Sequence, residues 1–168
     1  ESKTAKVPYS WKSIRVANMA IRNIDMLQDA TDREKKDLLA QAYFVRAYCH
    51  FELFRLYGSL PYIDKVMGSE DEWDLPRLSD NDMLQRIAAD FQTAADIFDQ
   101  AGLMRRDPAS GSGHLSASDQ DKPNGVTALA MKGRALLYAA SPLSNPGNDI
   151  TRWEAAAEAN WTALKSAL

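Results

Sequence analysis

The sequence is poor in the residues that would fix a covalent or metal-bound framework. One cysteine, Cys49, stands in 168 residues. A single thiol excludes an internal disulfide framework and any cysteine-cluster metal site. There are two histidines, His50 and His114. No apolar run approaches the roughly 18 residues of a membrane-spanning helix. Basic blocks are absent as well: 20 Lys plus Arg face 23 Asp plus Glu, for a net charge of −3. Nucleic-acid binding needs a clustered basic footprint, so that class of partner is excluded. No basic start leads into the short apolar stretch of a signal peptide. The chain opens at Glu1 and stops at Leu168 inside what reads as a helix. It is therefore expected to be a piece of a larger protein, read here as one helical region, 1–168.

What is present is ordinary globular material, 45% hydrophobic and 26% charged. A chain of this length can bury a core without disulfides or metals. Apolar residues recur at three- and four-residue steps, which is the period of a helix. Trp11, Ile14, Ala17, Ile21 and Ile24 predict a first helix over about 9–27, with Pro8 just before it. Thr31 and Glu34 form a capping box, and the second helix runs on until Gly58 and Pro61 stop it near Tyr57. Its second half is apolar almost all round, from Tyr43 and Phe44 to Phe51, Leu53 and Phe54. A helix with that pattern has neighbours on more than one side, so it is expected to be the most buried, the centre of a stack. A loop over 58–78 follows. Ser79 with Asp82 caps a third helix, striped by Leu84, Ile87, Phe91, Ala94 and Phe98, that ends near Gly102.

Residues 105–125 are rich in Ser, Gly, Asp and Pro and read as a long surface loop. A fourth helix over about 126–140 is rich in Ala, and Ala128, Ala130, Gly133 and Ala135 permit close helix–helix approach. Thr151 and Glu154 suggest another capping box. Trp153, Ala157, Asn160 or Trp161, Leu164 and Leu168 predict one side of a fifth helix. The expected fold is all-α: antiparallel helix pairs stacked in a tetratricopeptide-like superhelix. A strict 34-residue repeat is absent, because the loops vary too much.

Catalytic constellations are lacking. Cys49 and His50 are neighbours on a helix and point about 100° apart, so they do not form a nucleophile–base pair. Both read as core residues, and His114 reads as a loop residue with no metal-ligand partner. Gly111 and Gly113 make G-x-G without a third glycine or a preceding strand, which rejects a dinucleotide site. Asp119, Asp121, Asn124 and Gly125 echo a calcium loop, but the spacing is off by one and no Glu closes it near Ala130. The acidic stretch from Glu70 to Asp74 reads as a solvated charge run. Asn160-Trp161-Thr162 matches a glycosylation pattern but lies mid-helix. No cofactor and no metal is expected, and the protein is not expected to be an enzyme.

The tryptophans divide into two kinds. Trp11, Trp153 and Trp161 sit on predicted helices where packing accounts for them. Trp73 sits in a polar loop between Glu72 and Asp74, with no apolar stripe to join. An exposed aromatic ring can stack on a sugar while a neighbouring carboxylate accepts hydrogen bonds from hydroxyls. Trp73, Asp74 and Tyr62 are the candidate ligand contacts. The competing expectation for Trp73 is that it folds back and plugs a groove between helices.

The stretch 42–51, Ala-Tyr-Phe-Val-Arg-Ala-Tyr-Cys-His-Phe, runs on to Leu56-Tyr57-Gly58-Ser59-Leu60-Pro61-Tyr62. It resembles the signature of the SusD/RagB family, an F-x-R-A-x-x-x-F-x-L helix leading into Y-G-x-x-P. Trp11, Ile14, Ala17 and Asn18 are similar to the preceding W-x-x-I-x-x-A-N helix of that family. Leu78-Ser79 with Ile87, Asp90 and Ala94 resembles its next helix. Gly125-Val126-Thr127-Ala128 through Ser141-Pro142-Leu143 resembles the one after, and Trp153 with Ala156-Ala157 the last. The resemblance covers nearly the whole chain in the right order.

That resemblance implies a non-catalytic, surface-exposed lipoprotein of the outer membrane that binds glycans or other nutrients. It implies a partner, a SusC-like TonB-dependent transporter, and a lipid anchor outside this stretch. Two other classes stand beside it. A cytoplasmic tetratricopeptide scaffold for proteins would carry a basic ladder, and none is evident. A glycosidase would need two carboxylates across a cleft.

Overall fold

Backbone hydrogen bonding and the helical period of apolar residues dictate the architecture. The computed structural model describes residues 3–105 and 121–168, and among these all regular structure is helical. Helix α1 spans Lys3–Asn23 and passes into a short 3-10 turn at Ile24–Met26. Then come α2 (Asp32–Tyr57), α3 (Asp80–Gln100), α4 (Gly125–Ala140) and α5 (Ile150–Ala167). Each helix packs on its neighbours in chain order, α1 on α2, α2 on α3, α3 on α4 and α4 on α5. The protein is thus an all-α stack of the tetratricopeptide-like kind. None of the described helices is long and apolar enough to cross a membrane. His114, Gly111, Gly113 and Asp119 lie outside the described residues.

Local chemistry sets the helix ends. At α2 the Thr31 hydroxyl accepts the Glu34 amide at 3.3 Å, and Glu34 Oε2 accepts the Thr31 amide at 2.8 Å, a complete capping box. At α3 the Ser79 hydroxyl accepts the Asp82 amide at 3.0 Å but donates to the Asp82 carboxylate instead of leaving it to the backbone. The C-terminus of α3 closes with Gly102 at φ 68°, where Leu103 N–H reaches the Phe98 carbonyl and Gly102 N–H that of Asp99. This left-handed closure satisfies the last carbonyls, and Phe98 and Leu103 lie together in one core cluster. Asn124 caps α4 by accepting the Thr127 amide, so Asn124 and Gly125 start a helix and do not ligate an ion.

Several expectations are corrected. Helix α1 begins at Lys3, not near Tyr9, and so takes in Pro8, which has no backbone N–H to donate. Helix α5 begins at Ile150 because Asp149, not Thr151, is its cap and accepts the Thr151 amide at 3.0 Å. More of the large, fully buried side chains come from α3 (Met83, Leu84, Ile87, Phe91 and Phe98) than from α2, the helix expected to be the most buried. Helix α2 leaves Leu38, Val45 and Tyr48 exposed, because α1 and α3 cover only part of its circumference.

The fifth helix turns differently as well. Its buried face is Ala156, Ala159 and Ala163, while Trp161 and Leu164 are exposed. Close approach of α4 explains this. A Cβ on Gly133 would stand 2.6 Å from Asn160 Oδ1, a separation that admits only small side chains between the helices. Asn160 donates to the Gly133 carbonyl at 3.2 Å and to the Ala156 carbonyl at 2.7 Å.

Gly133→Ala is expected to push Asn160 out of these bonds and cost about 1–3 kcal/mol in chemical denaturation. Adding Asn160→Ala should restore part of the loss, since it removes the side chain that the new Cβ meets. A double variant no more stable than Gly133→Ala would show that the clash lies elsewhere.

Candidate functional site

A buried polar cluster organises the site. Arg46 on α2 and Asp90 on α3 occupy core positions and are 6% and 8% exposed. Arg46 Nε donates to Asp90 Oδ2 at 2.6 Å and Nη2 to Oδ1 at 2.8 Å, a bidentate fork. Its remaining nitrogen, Nη1, donates to Asn18 Oδ1 at 2.8 Å and to the Asp64 carbonyl at 3.0 Å. The guanidinium also lies 4.9 Å from the centre of the Tyr43 ring. Burial works to lower the Arg46 pKa, but the hydrogen bonds and charge of Asp90 outweigh it and hold Arg46 above its ordinary value.

The same cluster pins the loop between α2 and α3. Asn18 donates to the Ile63 and Lys65 carbonyls, each at 3.0 Å. Tyr62 donates its hydroxyl to Asp90 Oδ2 at 2.6 Å. His50 Nδ1 donates to the Arg46 carbonyl at 2.9 Å, which leaves Nε2 to accept the Ile63 amide at 3.1 Å. These two bonds fix the neutral tautomer. The ring stacks on Tyr62 at 3.9 Å, with Trp11 edge-on at 6.3 Å. Burial lowers the His50 pKa to about 4, against the Arg46 carbonyl bond and the charge of Asp90, which pull it up. Burial, and then the charge of Asp90, raises the Tyr62 phenol well above its usual value.

Once residues 61–67 are seated, the loop can form one wall of a slot against α1. The slot measures about 410 Å³. Helix α1 contributes Trp11, Ile14 and the stems of Lys12 and Arg15; the loop contributes Ile63, Met67, Lys65 and Trp73. Trp73 is 62% exposed and donates its indole N–H to the Gly68 carbonyl at 3.0 Å. The acidic stretch folds on itself: Asp71 accepts the Gly68 amide at 2.7 Å and pairs with Lys65, and Glu72 accepts the Asp74 amide at 3.0 Å. Hydrogen bonding by Lys65, and then by the Gly68 amide, holds the Asp71 carboxyl below its usual range.

The sequence candidates therefore separate. Trp73 stands at the slot, with Asp74 exposed beside it. Tyr62 lies in the core, 9% exposed, its hydroxyl committed to Asp90 and its ring to His50, so it supports the loop from beneath. Trp11, read from the sequence as packing, lines the slot, as do Ile63 and Met67. An arginine in the most apolar stretch of α2 was the available signal for the cluster, since a buried charge demands a partner. Cys49 is a half-buried thiol whose pKa burial raises, which keeps it protonated and unreactive. Among the described residues no group of three or more His, Cys, Asp or Glu is placed to hold a metal ion.

The fold defines a tetratricopeptide-like helical scaffold with an aromatic-lined slot on one flank. The chain belongs to the SusD-like family: the family model SusD-like_3, described as starch-binding associating with outer membrane, matches residues 3–102. The chain is 32% identical over 103 residues to SusD-like protein P2 of Formosa agariphila, a match over 61% of this chain and 20% of that protein. It resembles the solved structure of BT4246 with a TM-score of 0.77 and 26% identity, over 95% of this chain and 29% of the other. Surface glycan-binding protein A of Bacteroides uniformis shares the fold, with a TM-score of 0.66 at 15% identity over 94% of this chain and 31% of the other. The matched stretch thus spans a fifth to a third of these proteins.

Two outcomes follow from the buried cluster. Arg46→Met leaves Asp90 buried without its cation and should cost about 3–5 kcal/mol in denaturant unfolding, while Arg46→Met with Asp90→Leu should cost clearly less. Equal losses in the single and double variants would contradict the pairing. The His50 pKa is depressed on folding, so its contribution is complete above pH 6.5 and is lost as pH falls toward 4. That contribution is about 3 kcal/mol. Stability measured across this window should fall, and His50→Gln should flatten the slope.

Proposed function

We propose that this chain is the tetratricopeptide-like portion of a non-catalytic, glycan-binding protein of the outer membrane, held there by a lipid anchor outside residues 1–168. It works with a SusC-like TonB-dependent transporter and presents glycan to it at the cell surface. One observation carries the reading: two tryptophans, Trp11 and Trp73, line an apolar slot on a rigid helical frame. Such a slot suits the carbon-rich face of a sugar ring, and the exposed carboxylates beside Trp73 suit its hydroxyls. Binding of this kind requires no proton transfer. Membership of a family described as starch-binding supports the same reading.

A glycan array and isothermal titration on the full-length protein test it. Binding of at least one glycan is expected, and no binding to any would overturn the proposal. Trp73→Ala should weaken binding about tenfold through lost stacking and leave the melting temperature nearly unchanged, because the ring is largely exposed. A large fall in melting temperature with binding intact would make Trp73 a folding residue instead.

A further inference from the structure

The slot is unusual for a sugar site in what its walls withhold. Its surface is carbon almost throughout. Several of the polar groups that border it are engaged, and Lys12 is solvent-exposed. The Trp73 indole N–H goes to the Gly68 carbonyl at 3.0 Å, and Arg15 Nη1 goes to the Met67 carbonyl at 2.8 Å. Lys65 pairs with Asp71. A hydroxyl pressed against the carbon walls would give up its water and find no partner there, whereas a methyl group would gain by burial.

From this we infer that the slot is a subsite for the methyl-bearing edge of a 6-deoxyhexose, the inference resting on the glycan-binding reading above. In such a sugar C6 is a methyl; in the parent hexose it carries a hydroxyl. The methyl sits against Ile63 and the edge of Met67, and one ring face lies on Trp73. The ring hydroxyls stay at the mouth, in water and beside the exposed Glu72 and Asp74 that flank Trp73. The volume, about 410 Å³, falls at the small end of the roughly 300–1,000 Å³ usual for ligand pockets and suits a single sugar ring more than a long chain.

Matched pairs of sugars isolate the one atom at issue. Methyl α-L-rhamnopyranoside and methyl α-L-mannopyranoside differ only at position 6, as do the corresponding L-fucoside and L-galactoside. The full-length protein is titrated with each while the Met67 methyl resonance is followed. In at least one pair the deoxy sugar should bind about tenfold more tightly, the cost of burying an unpaired hydroxyl. It should shift the Met67 methyl, and Trp73→Ala should abolish the preference. Equal affinities within both pairs, a Met67 methyl unmoved by either deoxy sugar, or a preference that survives Trp73→Ala would each overturn the inference. If the protein still binds a glycan on the array, only the slot's selectivity is lost. If it binds none, the glycan-binding reading falls with it.

Discussion

Arg46 and Asp90 each stand on a helix face that otherwise buries carbon. Removing two charges from water is costly, and the cost is offset only when geometry is close and every remaining donor is used. Here the fork between them is bidentate, and the third guanidinium nitrogen reaches Asn18 and the Asp64 carbonyl. The pair therefore does more than join α2 to α3. Through Asn18 it fixes α1, and through Tyr62 and the Asp64 carbonyl it fixes the loop that follows α2. The register of three helices and one loop depends on a single side chain having all three of its nitrogens engaged.

That dependence explains why an irregular segment can carry a defined slot. Residues 61–67 have no regular structure, yet side chains from two helices hold their backbone. Trp73 lies a few residues beyond this pinned stretch, in a stretch held by local bonds around Asp71. The arrangement gives a firm wall of Ile63 and Met67 and an exposed ring at the edge. Rigid scaffold and exposed loop tip together are the usual disposition of a binding site.

Much of the fold was legible because its signals are local. Capping pairs such as Thr31 with Glu34 act over three residues, and the stripe of α3 needs only the helical period. The pairing of Arg46 with Asp90 acts across 44 residues, and nothing in either neighbourhood names the other. The buried side of α5 was misjudged for a different reason. Hydrophobicity favours Trp161 and Leu164, but the closeness of α4 at Gly133 brings Asn160 and small alanines to the interface instead. Trp11 fell between the two cases: its spacing marks a packed helix face, and the face is packed, but the loop stops short of closing over it.

The central claim is that the buried cluster seats residues 61–67 and leaves the acidic tip comparatively free. Amide hydrogen exchange reads this directly. The Ile63 amide, bonded to His50 Nε2, should exchange as slowly as amides inside α2 and α3, while those of residues 69–74 exchange much faster. An Ile63 amide that exchanges as fast as the tip would contradict the account, since the wall of the slot would then have no fixed place.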